Sequence, residues 1–141
     1  MPWRISFEVW GEKFRPGRVS FSFTESQDPG TIGLTGIHRG KPLPYGSASY
    51  VVPSTVSKVD SVKYLLSKIA PILDSMRAAG ATDWHVNIAR YYHAQCNEEY
   101  SLDELRLIAQ LDCGFTYSAY SMSEEEERKM QQNFEENGFV V

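Results

Sequence analysis

The sequence predicts an α+β domain: a mostly antiparallel sheet of about five strands with helices packed mainly on one face. Three observations predict it. Short runs alternate apolar and polar residues, the period of a strand with one buried face. Two longer windows repeat apolar residues every three to four positions, the period of a helix. The runs follow one another as strand, strand, strand, helix, strand, helix, strand, helix, an order that segregates early strands from later mixed elements.

Trp3, Ile5, Phe7 and Val9 alternate with Arg4, Ser6, Glu8 and Trp10, and Gly11 ends this first strand. After a turn at Pro16-Gly17, Val19, Phe21 and Phe23 alternate with Arg18, Ser20, Ser22 and Thr24, which predicts a second strand antiparallel to the first. Residues 24–47 then hold five glycines and three prolines. That density interrupts every regular element and predicts a long loop, the kind of segment that is often functional or mobile. A short strand near Thr31 to Ile37 is the alternative.

Ser47 to Val52 reads as a third strand, which Pro53 terminates. Val59, Val62, Leu65, Leu66, Ile69, Leu73 and Met76 then fall at helical spacing, with Ser57 as N-cap, Asp60 at N3 and Gly80 as the closing residue. Pro71 lies inside that helix and lacks the N–H that would reach Ser67, so a kink or two abutting helices is expected. Trp84, Val86 and Ile88 alternate with His85, Asn87 and Ala89 in a fourth strand, and Tyr91 to Tyr100 is a polar connection. Ser101 and Glu104 have capping-box spacing, Leu102, Leu105, Ile108 and Ala109 form the stripe of the helix they open, and Gly114 closes it before a strand from Phe115 to Tyr120. Ser123 and Glu126 repeat the spacing, Glu124 to Glu127 suit the positive end of a helix dipole, and Met130 and Phe134 can dock a helix running to about Asn137.

A chain of 141 residues fits one domain, with 1–120 as its core and 121–141 as an acidic C-terminal helix and tail. The start, Met1 to Ser6, has no basic segment leading into an apolar run, and no window approaches the ~18 apolar residues of a membrane helix, so a cytoplasmic protein with no membrane partner is expected. Cys96 and Cys113 are too few for a disulfide framework. The formal charge of −4 belongs to residues 121–141, which hold six acids and two bases. The remainder is neutral, which argues against a nucleic-acid partner that would need a basic face.

No motif supplies a coherent catalytic or cofactor set. Gly36 to Lys41 is one residue short of a phosphate loop and is followed by Pro42, and Gly30, Gly33 and Gly36 miss the dinucleotide spacing. His93 and Cys96 could ligate zinc with His85 or Cys113, or act as a nucleophilic dyad oriented by Asn97 or Asp103, but neither pattern has a second ligand pair or a fixed geometry.

What remains is surface. If the apolar sides of all strands face the helices, the far side shows Arg4, Glu8, Trp10, Ser20, Ser22, His85, Asn87, Thr116, Ser118 and Tyr120. This is either a solvated face or a docking face. The candidate partner-binding residues are Trp10, His85 and Tyr120 on it, His38, Arg39, Lys41 and Tyr45 in the long loop, and Glu124, Glu125 and Glu127 in the acidic helix.

Gly40 to Val52, the helix through Leu73, and Asn97-Glu98-Glu99-Tyr100-Ser101-Leu102-Asp103-Glu104-Leu105 through Tyr120 resemble the bacterial domain of unknown function 4279. The likeness covers roughly the last two-thirds of the domain, in element order and in the polar-aromatic-Ser turn. It departs at Phe14 to Arg18, where that family enters a short acidic helix. The resemblance implies a small cytoplasmic α+β protein without established catalytic residues, from bacterial accessory genes among which immunity proteins are common.

The expected function is therefore non-enzymatic: an immunity- or inhibitor-type module that neutralises a toxin or effector protein by occluding it, with a homodimer as a further option. The alternative is a small enzyme or ligand-binding domain that uses His93 and Cys96 under the 24–47 loop. Single-stranded RNA stacking on Trp10 and Tyr120 is a third reading, opposed by the pI of 5.4.

Overall fold

A computed structural model gives the fold of residues 3–137, with side chains described through 133. The docking role expected of the Phe134 side chain falls outside the described residues. Five strands form one sheet: β1 (Trp3–Gly11), β2 (Glu25–Gln27), β3 (Gly46–Val51), β4 (Asp83–Tyr92) and β5 (Phe115–Ser121), in the order β2-β3-β1-β4-β5. All neighbours are antiparallel except β4 and β5, which run parallel. That parallel pair follows from its connection, since a helix-containing crossover returns the chain in the same direction. The predicted fold class stands.

Helices α1 (Ser61–Ile69), α2 (Leu73–Ala78) and α3 (Leu102–Ala109) cover one face, and α4 (Glu124–Asn137) follows β5. The core joins Ile5, Phe7 and Val9 of β1 and Val86 and Ile88 of β4 to Val62, Leu65, Ile69, Met76, Ile108 and Leu111. As expected, Pro71 divides the long apolar window, and a single 3₁₀ turn at Ala70–Ile72 separates α1 from α2. Gly80 closes α2 with φ +103, and the bonds Gly80 N–H to Arg77 C=O and Ala81 N–H to Met76 C=O complete a Schellman cap.

Four local expectations need correction. Val19 to Thr24 is not a strand. Pro16 seeds a 3₁₀ turn at Pro16–Arg18, Phe21 N–H bonds back to Val19 C=O, and sheet pairing starts only when Thr24 N–H reaches Ser49 C=O. The alternation there reflects burial from an irregular segment: Val19 enters the core, and Phe21 packs on Phe23 and Tyr50 at 4.9 and 5.2 Å. Ser20 and Ser22 accordingly lie off the sheet face.

Residues 24–47 contain regular structure after all: β2, a 3₁₀ turn at Gly36–His38 and two isolated bridges, Ile32 with Pro42 and Gly33 with Arg39. α1 begins at Ser61, so Ser57 caps a preceding turn through Asp60 rather than the helix, and Val59 is exposed. In α3 only Ile108 of the expected stripe is buried, with Leu107 partly buried and Leu111 just past the helix joining the core; Leu102, Leu105 and Ala109 are exposed, and the chain leaves the helix through Asp112 at φ 56 rather than Gly114. The Ser101–Glu104 capping box is present as predicted. At Ser123 only half of one forms, with Glu126 N–H donating to Ser123 Oγ.

Candidate functional site

The sheet register gathers the outward residues. Glu8 opposes His85, Trp10 opposes Ser47, Glu25 opposes Ser49, and Gln27 opposes Ser47 from the other side. Residues directly opposed across antiparallel strands share a face, so these side chains line one surface on the side away from α1–α3. Its β2-β3-β1 half is concave. A trough of about 920 Å³ is lined by Glu8, Trp10, Glu25, Gln27, Tyr45, Ser47 and Ser49, with no lysine or arginine among its walls.

The trough floor is held from the side by β4. His85 Nε2 lies 3.1 Å from Glu8 Oε2, and the Trp10 ring meets the His85 ring edge-on at 5.3 Å. One imidazole therefore positions both the acid and the indole. The indole itself is 37 % exposed.

The rim is the segment 28–45, which folds as a small ordered flap. Gly30 N–H donates to Leu43 C=O, Leu43 N–H to Thr31 C=O, Gly33 N–H to Lys41 C=O, and Gly40 N–H to Gly33 C=O. Gly33 is required for that closure, because a Cβ there would overlap the His38 backbone carbonyl. His38 packs edge-on to Tyr45 at 6.1 Å, which joins the flap to the trough wall. The flap tip then carries Ile32, Leu34 and Ile37 at 52, 79 and 86 % exposure, beside exposed Arg39 and Lys41. Three branched aliphatics thus lie exposed on one hydrogen-bonded loop, where burial by another surface would be favourable.

Of the residues expected from sequence to bind a partner, Trp10 and Tyr45 line the trough, His85 supports Trp10, and His38 reaches Tyr45 from the flap that also carries exposed Arg39 and Lys41. Tyr120 lies elsewhere, stacked on Tyr91 at 5.2 Å on the far strand β5. Glu127 binds His93 at 2.8 Å, Glu125 binds Lys129 at 3.4 Å, and Glu124 is exposed, so the acidic turn is a separate surface. Glu25, Gln27, Ser47, Ser49, Ile32, Leu34 and Ile37 escaped the sequence reading.

His93 and Cys96 are not brought together as a dyad: His93 turns to Glu127, and Cys96 Sγ lies 2.9 Å from the Tyr117 hydroxyl. Among the described residues no three His, Cys, Asp or Glu side chains are placed to share a metal ion. Burial pushes the Cys113 thiol above its ordinary range. Beside Cys96 sits an ion cluster. Glu98, with its side chain only 9 % exposed, meets Lys58 Nζ at 2.7 Å and Arg90 Nε at 3.4 Å. It ties the 93–100 connection to the turn before α1 and to β4. Burial, and then the negative charge of Glu98, pushes the neighbouring Tyr100 hydroxyl up to about 12. These contacts explain an ordered connection without assigning it chemistry.

No family model matches the chain, and neither a curated protein nor a solved structure matches it. No helix among the described residues is long and apolar enough to cross a membrane.

Proposed function

We propose that the protein is a non-enzymatic binding module of the immunity or inhibitor type, which occludes a toxin or effector protein with its flap and trough. The observation that supports this reading is the exposure of Ile32, Leu34 and Ile37 on a hydrogen-bonded flap next to the Trp10 trough. An exposed apolar group on a flap that is joined through His38 and Tyr45 to the trough of the partly exposed Trp10, with polar residues around both, has the composition of an interface hot spot. Glu8 and Glu25 in the trough, with no cation lining it, favour a partner that offers lysine or arginine there. The resemblance to the domain of unknown function 4279 points the same way, toward a cytoplasmic bacterial accessory protein.

Co-expression with the product of the neighbouring gene tests it. The expected result is a complex that survives size-exclusion chromatography and relief of that product's toxicity. No complex and no relief of toxicity would remove the reading.

A further inference from the structure

The two edges of the sheet are treated differently. The β2 edge is three residues long, begins with Glu25 and is followed by Asp28-Pro29, the short, charged and proline-flanked form that blocks strand addition. The β5 edge is seven residues long, Phe-Thr-Tyr-Ser-Ala-Tyr-Ser, without a charge, a proline or a glycine. Five of those seven residues are exposed. No strand lies beyond it among the described residues.

The ladder shows which groups are unused. Gly114 C=O accepts from Val86 N–H and Met122 N–H donates to Tyr92 C=O, so these even-numbered positions face β4. With the two-residue period of a strand, Thr116, Ser118 and Tyr120 face β4 as well. Phe115, Tyr117, Ala119 and Ser121 therefore turn their N–H and C=O groups outward. A row of such groups is a template for another strand.

We infer that β5 is a strand-addition site that accepts an extended segment of another protein carrying lysine or arginine next to its paired stretch. Charge selects that occupant. Asp112, which shares the Arg77 guanidinium with Asp74, precedes the edge, and Glu124 to Glu127 open α4 just after it with Lys129 on Glu125 and His93 on Glu127, so each end of the template keeps an excess of acids. A second copy fits poorly. Pairing all four outward residues of two antiparallel copies centres the register on Ser118, which brings Asp112 of one copy toward Glu124 of the other. This inference goes beyond the inhibitor reading, because the β5 edge is at the opposite end of the sheet from the trough and does not depend on it.

Amide hydrogen exchange on the full isotope-labelled chain tests the site, with two synthetic peptides as probes. Each has an alternating Thr-Val stretch, flanked by Lys-Arg in one and by Glu-Asp in the other. In the free chain the amides of Phe115, Tyr117, Ala119 and Ser121 should exchange about ten-fold faster than those of Thr116, Ser118 and Tyr120. The basic peptide should slow the four outward amides about five-fold or more, and the acidic one should not. Ala119→Pro should abolish that protection while the melting temperature stays near wild type, because the N–H it removes makes no bond to β4. Ser118→Pro, which removes a ladder bond, should be destabilised. Three results would overturn the inference: outward amides already protected in the dilute free chain, a dimer in sedimentation that Ala119→Pro dissolves, or no response to millimolar basic peptide.

Discussion

Glu8 and His85 oppose one another across β1 and β4, with 3.1 Å between Glu8 Oε2 and His85 Nε2, and Trp10 leans on the same imidazole. In the proposed binding role, that relationship is what makes this sheet face a site. It fixes an acid and an indole side by side at the trough floor, so little side-chain entropy is lost when a partner arrives. Trp10→Ala should weaken partner binding by about 30-fold, near 2 kcal/mol, and change unfolding free energy by less than about 1 kcal/mol. Calorimetric titration and urea unfolding of the same variant separate the two effects.

His85→Ala should act on the same surface more weakly. It leaves Trp10 in place but removes the group that orients it, so an affinity loss of about three- to ten-fold is expected. The loss should fall mainly on the dissociation rate, read by surface plasmon resonance.

Glu98→Ala should destabilise the fold by about 2 kcal/mol, because it strands Arg90 and Lys58 beside a sheltered site. Both cations are partly solvated, which keeps the cost below that of a fully buried pair. Glu98→Gln should cost less. Equilibrium urea unfolding gives both numbers.

Tyr100 sets an alkaline limit. Its hydroxyl is buried without a hydrogen-bond partner among the described residues. The folded chain holds the proton to about 12, whereas the free side chain loses it near 10.0. The folded state thus binds more protons between those values, so the contribution is complete below pH 10 and is lost as pH rises toward 12. Tyr100→Phe should be close to neutral at pH 7 and should flatten that alkaline decline. Tyr50, pushed up to about 12 by burial and then by its bond with Tyr64, accounts for a second share and gives Tyr50→Phe a similar effect.

Gly33→Ala should open the flap without unfolding the domain. The added methyl meets the His38 carbonyl, which breaks the local bonds of Gly33 with Lys41 and Gly40. Trypsin should then cut after Arg39 about ten-fold faster than in wild type, while the core transition is retained.

The parts of this fold that are legible in sequence are those specified by local chemistry. Alternation in Trp3 to Trp10 and in Trp84 to Ala89, the capping box at Ser101 and Glu104, and the break at Pro71 each act within a few residues, and each is found where it was expected. Val19 to Thr24 misleads because apolar side chains can alternate into a core from an irregular backbone, and Pro16 decides the backbone there. Glu25 to Gln27 is too short to show any period, so half of the trough wall is invisible until β3 is seen beside it. The flap escaped for a related reason. Its bonds join Gly30 to Leu43 and Gly33 to Lys41, and the glycines that allow them look, in sequence, like the absence of structure. Trp10, His85 and Tyr45, which the structure places at or beside the trough, are legible because aromatics on the polar side of a strand or in a polar loop stand out against the pattern.

The central claim, that flap and trough form one protein-binding face, is tested most directly by titrating the neighbouring gene's product into wild type and the double variant Trp10→Ala/Ile37→Asp. Tight binding by the wild type, reduced about 100-fold or more in a double variant with an unchanged melting temperature, is the predicted result. Equal binding by both proteins would contradict it, as would no binding by the wild type.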